Sequence, residues 1–153
     1  MRHTLQQDQG VQNGFTLVEL LAVLAILCAL GVLVLPAYQS QVLTARRGLA
    51  RLELLKIMTR QEQYFLNHLK YADSLTQLGF PAHPYALTRD GNVAPASATD
   101  SIYLIGLDAT SRSYIVTASP TDRQREDTGC QVMSIESNGI RHSSGTYATQ
   151  ECW

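Results

Sequence analysis

The stretch GFTLVELLAVLAILCALGVLVLPAY, residues 14–38, decides the fold of this chain. From Leu20 to Tyr38 it contains 19 residues without a formal charge. As an α-helix these residues would rise roughly 28 Å, close to the thickness of the hydrocarbon core of a bilayer. A core helix of a small soluble domain normally has a polar face, and this segment has none. The sequence therefore predicts one membrane-spanning helix near the N-terminus.

Glu19 is the only charged residue in residues 14–38. A carboxylate placed deep in a bilayer costs about 2.5 to 3.5 kcal/mol, whereas near the headgroups the cost is small. The span contains no Lys or Arg, so a cationic partner for Glu19 would have to come from another molecule. Glu19 is therefore either an interfacial residue or a contact within an assembly.

A cleaved secretory signal is the alternative interpretation of this segment. The preceding region is barely basic, with Arg2 and His3 against Asp8. The apolar run exceeds the usual length of a signal h-region, and its end at residues 35–38 has no small-x-small cleavage pattern. These features favour a retained membrane helix.

The same residues resemble the class III signal and N-terminal helix of type IV pilins and type II secretion pseudopilins. The shared features are Gly14 directly before Phe15, a Thr-Leu pair, Glu19, a long apolar helix and a proline at Pro36. The resemblance implies that a prepilin peptidase cuts after Gly14 and methylates Phe15, so that residues 1–14 are a leader peptide. The family usually has Lys or Arg just before the glycine, and this chain has Gln-Asn there.

The resemblance also implies a role for the helix in assembly. Residues 15–38 would be a transmembrane and assembly helix in which Glu19 contacts the positive N-terminus of Phe15 in the next subunit. Pairing two charges in an apolar filament core removes much of their desolvation cost and fixes the axial register of the helices. Pro36 supplies no backbone donor, so we expect it to weaken or kink the helix.

Beyond Pro36 the helical pattern continues to about Leu69, which defines an amphipathic helix half over residues 39–70. Apolar residues recur there at three-, four- and seven-residue spacings and predict a stripe that packs against a sheet: Leu49, Leu52, Leu55, Met58, Phe65 and Leu69. Three basic side chains in this half are interpreted as a solvated face, with intersubunit salt bridges as the alternative: Arg46, Arg47 and Arg51.

Residues 71–153 are predicted to form a globular head with a C-terminal loop. Proline and glycine are frequent in residues 81–100, which predicts a loop. Short strand-like runs follow at residues 102–107, 114–118, 131–136 and 140–142. Asn138-Gly139 between the last two runs is a strong hairpin signal. The predicted fold is α+β, with a long N-terminal α-helix packed on a small antiparallel β-sheet.

The three cysteines are Cys28 in the apolar segment and Cys130 and Cys152 in the polar C-terminal region. A Cys130–Cys152 bridge would close a loop of about 20 residues and stabilise the fold by roughly 3 kcal/mol, and it would require an oxidising compartment. Two reduced cysteines in a cytosolic domain are the alternative. The segments SYIVTASP, DTGC, SNG and ECW resemble type IV pilins of the minor-pilin kind, and this resemblance implies the bridge.

Localisation is predicted as a single pass through a bacterial inner membrane, with the head in the periplasm and later in an extracellular pilus. The positive-inside rule alone would place the arginines that follow the span in the cytoplasm. The family orientation is preferred because it exposes Cys130 and Cys152 to oxidation. The implied partners are other pilin subunits, prepilin peptidase, the inner-membrane pilus assembly platform and membrane lipid.

Composition limits the function classes. With 153 residues, 45% hydrophobic and 16% charged, the chain has room for a modest domain beside the membrane segment. The four histidines are scattered, and no metal-peptidase, phosphate-loop or CxxC motif is present. His68 on the helix is expected to be half-buried and structural. The sequence therefore predicts no enzyme activity, no cofactor and no metal site.

Three hypotheses for function share the membrane helix. The first is a minor structural subunit of a type IV pilus that supports twitching motility, adhesion or DNA uptake; the second is a secretion pseudopilin, which usually lacks the cysteine pair. The third is a DNA-binding competence receptor, for which four arginines could hold phosphates: Arg112, Arg123, Arg125 and Arg141. Nearby acidic residues and a net charge of -1 make nucleic acid the less favoured partner.

Overall fold

The structure is a computed structural model that describes residues 14–153. Most of the predicted leader, residues 1–13, lies outside the described residues. The chain divides into two compact units, one ending at Gln39 and the other comprising Ser40–Trp153. The elements are α1 (Leu17–His68), β1 (Tyr85–Thr88), β2 (Val93–Pro95), β3 (Ser101–Ala109), β4 (Tyr114–Pro120), a 3-10 helix (Asp122–Glu126), β5 (Met133–Glu136), β6 (Arg141–Ser143) and α2 (Thr149–Cys152).

Helix α1 is 52 residues long and continues through Pro36. It ends at His68, one residue before the predicted end, and the following Leu69 adopts a left-handed conformation with φ of 55°. A left-handed residue after the last turn is a common way for a helix to stop. The predicted long N-terminal helix is confirmed.

The strands of the described chain form one antiparallel sheet in the order β2-β1-β3-β4-β5-β6. The four predicted strand runs correspond to β3, β4, β5 and β6. β5 and β6 are joined at Asn138-Gly139, where Gly139 has φ of 82° and Asn138 Oδ1 accepts a hydrogen bond from Ile140 N at 2.9 Å. The predicted hairpin and the α+β fold class are therefore confirmed.

The prediction of a loop over residues 81–100 is wrong. β1 pairs with β3 through Tyr85↔Ile105 and Ala86↔Leu104, and β2 pairs with β1. All four residues of β1 are buried. The strand is short and lies between Pro84 and the Asp90-Gly91 turn. Because turn-forming residues surround it, the local composition predicts a loop instead of a strand.

The predicted apolar stripe on α1 is wrong in part. The helix residues buried in the core are Ala50, Leu54 and Ile57, whereas Leu52 and Leu69 are 67% and 82% exposed. Three polar side chains lie on the buried side of α1, so hydropathy alone selects the wrong face: Arg47, Glu53 and Gln61. The sheet contributes alternate residues to the same core, as β4 shows with Tyr114, Val116 and Ala118.

Candidate functional site

The start of α1 is closed by hydrogen bonds between Thr16 and Glu19. Thr16 N and Thr16 Oγ1 each donate to Glu19 Oε2 at 2.9 Å, and Glu19 N donates to Thr16 Oγ1 at 3.2 Å. This is a capping box, in which side chains satisfy amide groups that have no partner within the helix. The sequence analysis missed Thr16, although the spacing T-x-x-E was visible. Glu19 has a partner within its own chain, and both of its hydrogen bonds fall on one carboxylate oxygen.

The described apolar side chains of α1 up to Tyr38 are exposed. Among them, the large ones from Phe15 to Tyr38 are 49% to 86% exposed. Within the described residues, α1 is the one helix whose length and composition would let it cross a membrane. Gly14 and Phe15 precede this helix, and Pro36 lies inside it. Cys28 is an exposed free cysteine in the same apolar stretch.

Arg47 is buried, which corrects its assignment to a solvated face. Its Nε and Nη2 donate to Asp127 Oδ2 and Oδ1 at 3.0 and 3.1 Å. The pair is bidentate, and both side chains are 10% exposed or less. Bidentate Arg–carboxylate pairs are the stronger type of ion pair, and they orient both groups. This contact joins α1 to the segment that leads into Cys130.

Gln124, the middle residue of the 3-10 helix, is fully buried beside this pair. Its Nε2 donates to Tyr103 OH at 3.1 Å and to Leu43 O at 3.3 Å. Burial, offset in part by the hydrogen bond from Gln124, raises the pKa of Tyr103 to about 12. The 3-10 helix is thereby fastened to both α1 and β3.

The Cys130–Cys152 disulfide links the C-terminal segment covalently to the turn that precedes β5. Backbone hydrogen bonds run beside it, from Thr146 N to Thr128 O at 3.1 Å and from Tyr147 N to Gly129 O at 2.8 Å. A Cβ on Gly145 would collide with the Gly129 carbonyl group, so this close approach requires glycine. The loop that the sequence predicted is therefore held by both a covalent bond and backbone contacts.

The structure does not bring the four candidate arginines together. Arg123 and Arg125 are exposed on the 3-10 helix, whereas Arg112 lies at the other end of β4, seven residues or roughly 23 Å away. Arg141 lies on β6 with its guanidinium 5.3 Å from the centre of the Trp153 ring. Arg89, which the sequence analysis missed, pairs with Asp122 of the same 3-10 helix, with 3.2 Å between Arg89 Nη2 and Asp122 Oδ2.

His68 is exposed, which corrects the expectation that it is half-buried. Its ring stacks on Tyr64 with 3.9 Å between ring centres. In the part of the chain that the structure describes, no group of three or more His, Cys, Asp or Glu side chains could hold a metal ion.

Comparison with known proteins links these features to one family. A family model described as type IV minor pilin ComP, DNA uptake sequence receptor, matches residues 36–134. A second model, for the prokaryotic N-terminal methylation motif, matches residues 10–35. Together the two models cover most of the chain, from the residues before Gly14 to β5.

Two curated relatives and one solved structure are also similar. Two type IV major pilin proteins PilE1 of Neisseria gonorrhoeae are 38% identical over 76 residues, which is 48% of this chain. The chain spans less than half the length of these relatives, 45% of one and 41% of the other. A type IV pilin structure from Shewanella oneidensis superposes with a TM-score of 0.49 at 19% identity, over 72% of this chain and 97% of that one.

Proposed function

The chain belongs to the family of type IV minor pilins described as ComP, DNA uptake sequence receptor, and from this membership we propose that it is a minor subunit of a type IV pilus that takes part in DNA uptake. The observation that carries the proposal is an exposed apolar helical segment that precedes, in the sequence, a head with its own core. Such a helix needs lipid or the helices of other subunits around it. The pilin family supplies those subunits as its partners.

Maturation and assembly are proposed for the N-terminal residues. Prepilin peptidase would cut between Gly14 and Phe15 and methylate Phe15, which the match to the methylation motif supports. Glu19 would contact the new N-terminus of a neighbouring subunit through the carboxylate oxygen that the capping box leaves open. Pro36 would act in assembly as a site without a backbone donor inside α1.

The orientation and compartment follow from the same proposal. The helix would pass once through the inner membrane, with the head in the periplasm, and the subunit would then enter an extracellular pilus. The Cys130–Cys152 disulfide supports an oxidising compartment for the head. The disulfide and the family match also favour a pilus subunit over a secretion pseudopilin. The assembly platform and membrane lipid remain proposed partners, and the role proposed is structural, with no catalytic step.

DNA contact is proposed for the surface formed by Arg89, Arg123 and Arg125. Arg123 and Arg125 are exposed on either side of Gln124, whose buried side chain anchors the 3-10 helix. Arg89 forms an ion pair with Asp122, the residue directly before Arg123. Arginines on a rigid surface contact phosphates, and each such contact adds to the salt dependence of binding. Because Asp122 and Glu126 are interleaved with them, this surface would contact few phosphates.

Filament membership is tested by mass spectrometry of sheared pili. The expected result is a low-abundance chain that begins at methylated Phe15 and has Cys130 joined to Cys152. A chain that is recovered only as a free monomer beginning beyond Tyr38 would contradict the proposal, because the apolar helix would then be a discarded signal.

DNA contact is tested by titrating a duplex with the processed chain in detergent micelles at several salt concentrations. The double variant Arg123→Gln/Arg125→Gln should bind more weakly. The slope of log K plotted against log salt concentration should be smaller in magnitude by about 1.8, because two phosphate contacts are lost. Arg112→Gln, which removes one positive charge at the far end of β4, is the control for charge lost away from the 3-10 helix, and its slope should equal that of the parent. Equal slopes for all three proteins would refute contact at the 3-10 helix.

A further inference from the structure

An apolar groove of about 490 Å³ lies between residues 45–55 of α1 and Trp153. The apolar residues on its α1 side recur at spacings of three or four, which places them on one helix face: Ala45, Gly48, Leu49, Leu52 and Leu55. Arg51 also lines the groove, and Arg141 of β6 and Trp153 form its opposite side. Nothing in the role proposed above uses this groove.

The leucine side chains of the groove remain open to solvent. Leu52 is 67% exposed, and Leu49 and Leu55 are only partly buried where they pack against the core. Apolar side chains gain free energy when a partner removes them from water. A contiguous apolar surface of this kind, bordered by charged residues, is typical of a contact surface.

The charged residues at the groove are both positive. Arg51 and Arg141 line it, and no described Asp or Glu side chain does. Within residues 14–153, neither guanidinium group forms an ion pair. The groove therefore combines leucine side chains with two guanidinium groups that are available to an anion.

Trp153 is held at the edge of the groove by three contacts. Its Nε1 donates to His142 O at 3.0 Å, and the Arg141 guanidinium lies 5.3 Å from the centre of its ring. The preceding residue, Cys152, is joined to Cys130 by the disulfide. Tryptophan is enriched where membranes meet water, because its ring is large and apolar while its N–H needs a polar partner.

The groove lies close in sequence to the predicted membrane span. Ala45 follows Tyr38 by seven residues, and even a fully extended chain of seven residues reaches only roughly 25 Å. While residues 15–38 cross a bilayer, the groove therefore stays near the membrane surface. That surface presents apolar chains and phosphate groups side by side, which matches the leucines and the arginines of the groove.

We propose that this groove docks the head on an anionic phospholipid surface, with Arg51 and Arg141 on headgroup phosphates and Leu52 and Trp153 among the upper parts of the acyl chains. The planar guanidinium group matches phosphate oxygens in pairs. Basic pockets beside membrane spans bind anionic headgroups. Docking would hold the head at the membrane until the subunit enters a pilus. The inference rests on the proposed membrane location of residues 15–38.

Fluorescence of the full chain in vesicles tests this docking, because Trp153 is the one tryptophan in the sequence. The vesicles contain phosphatidylcholine and phosphatidylglycerol in equal amounts, with bromine on the acyl chains of one lipid or the other. Bromine quenches a tryptophan that it touches, and random mixing of the lipids would make the two quenching values equal. For the parent, brominated phosphatidylglycerol should quench Trp153 at least twofold more than brominated phosphatidylcholine.

Two variants with matched controls assign the preference to the groove. Arg51→Gln should bring the two quenching values close to each other, whereas Arg112→Gln removes one positive charge from the β3–β4 turn and should keep the parental ratio. Leu52→Glu places a carboxylate in the groove and should abolish the preference. Leu66→Glu makes the same change at another exposed position of α1 and should not. Each quenching value is normalised to unbrominated vesicles, which corrects for any direct effect of a substitution on Trp153.

The outcomes separate the docking from the proposed function. If the parent enters the vesicles and both brominated lipids quench Trp153 equally, or neither does, the docking is refuted and the membrane helix stands. An unchanged ratio in Arg51→Gln, or equal losses in Leu52→Glu and Leu66→Glu, also refutes docking through the groove. A parent chain that stays outside the vesicles as a free monomer contradicts the membrane helix itself, and with it the proposed pilus subunit.

Discussion

Arg47 shows, for a single residue, why the sequence predicted a solvated side chain where the structure has a buried one. It follows Arg46 and precedes Arg51, and three arginines beside an apolar span are ordinarily solvated. Its partner Asp127 is 80 residues away, so no local pattern connects the two. By contrast, Thr16 and Glu19 form a local pattern that could have been recognised. Short-range partners can be read from spacing, whereas long-range buried partners require the fold.

Breaking the Arg47–Asp127 pair is expected to destabilise the head strongly. Arg47→Ala leaves a buried carboxylate without its cation and should cost about 3 to 5 kcal/mol. Arg46→Ala, one position earlier on the more exposed side, should change stability by about 0.5 kcal/mol or less. Urea unfolding of the full chain in micelles, followed by tyrosine fluorescence, measures both.

A double variant distinguishes the effect of an unpaired buried charge from the effect of lost side-chain packing. Arg47→Met together with Asp127→Leu removes both charges and keeps the apolar volume, so it should recover much of the stability lost in Arg47→Ala. If Arg47→Ala and Arg46→Ala have the same stability, the pair does not contribute to the fold in the way that its burial implies.

Secondary structure elements were predictable where the chain has a strong period or a specific turn. The apolar run specifies the start of α1, and Asn138-Gly139 specifies the β5–β6 hairpin. β1 was missed because its four residues are surrounded by turn-forming residues, and its pairing with β3 depends on positions 13 to 20 residues away. The buried face of α1 was misassigned because Glu53 and Gln61 find partners in Tyr85 OH and the backbone of Ala72.

The C-terminal segment depends on a glycine that no sequence pattern singled out. Gly145→Ala should destabilise the head by more than 2 kcal/mol or displace the segment, because the new Cβ would overlap the Gly129 carbonyl. Gly48→Ala is the control, since a Cβ there meets only Arg51 Nη2 at 3.7 Å. Within a helix, that change should stabilise by up to about 1 kcal/mol. Thermal unfolding and hydrogen exchange at residues 128–130 and 144–147 measure the two variants, and similar results for both would contradict the close approach.

At the scale of the whole molecule, buried tyrosines make the stability of the head depend on pH in the alkaline range. Burial raises the pKa of Tyr85 and Tyr114, with further contributions from Glu53 and Glu62, and it raises that of Tyr103 to about 12. A tyrosine in the unfolded chain loses its proton near pH 10, while the folded head retains it. The contribution of these tyrosines to stability should therefore be constant below about pH 10 and fall above it.

The loss should reach about 1.4 kcal/mol per pH unit for each tyrosine that stays protonated in the folded state. Urea unfolding between pH 8 and pH 12 tests this, with Cys28→Ala as background to limit thiol–disulfide exchange. Tyr103→Phe removes one titrating group and should lower the slope between pH 10 and about 12. An identical pH profile for Tyr103→Phe and the parent would contradict the contribution of Tyr103.

The division of the chain after Gln39 allows assembly to be tested apart from folding. Under the proposed role of Glu19, Glu19→Ala should reduce the amount of the subunit in sheared pili at least tenfold, because the N-terminus of the neighbouring subunit loses its counter-charge in an apolar environment. The melting temperature of the head and its Cys130–Cys152 disulfide should not change, since every core residue in the described part of the chain lies beyond Gln39. Gln39→Ala on the same helix is the matched control and should enter pili like the parent. If Glu19→Ala is recovered in pili at the parental level, the register of the filament is set by another contact, and the single charge in the apolar helix serves only to cap its first turn with Thr16.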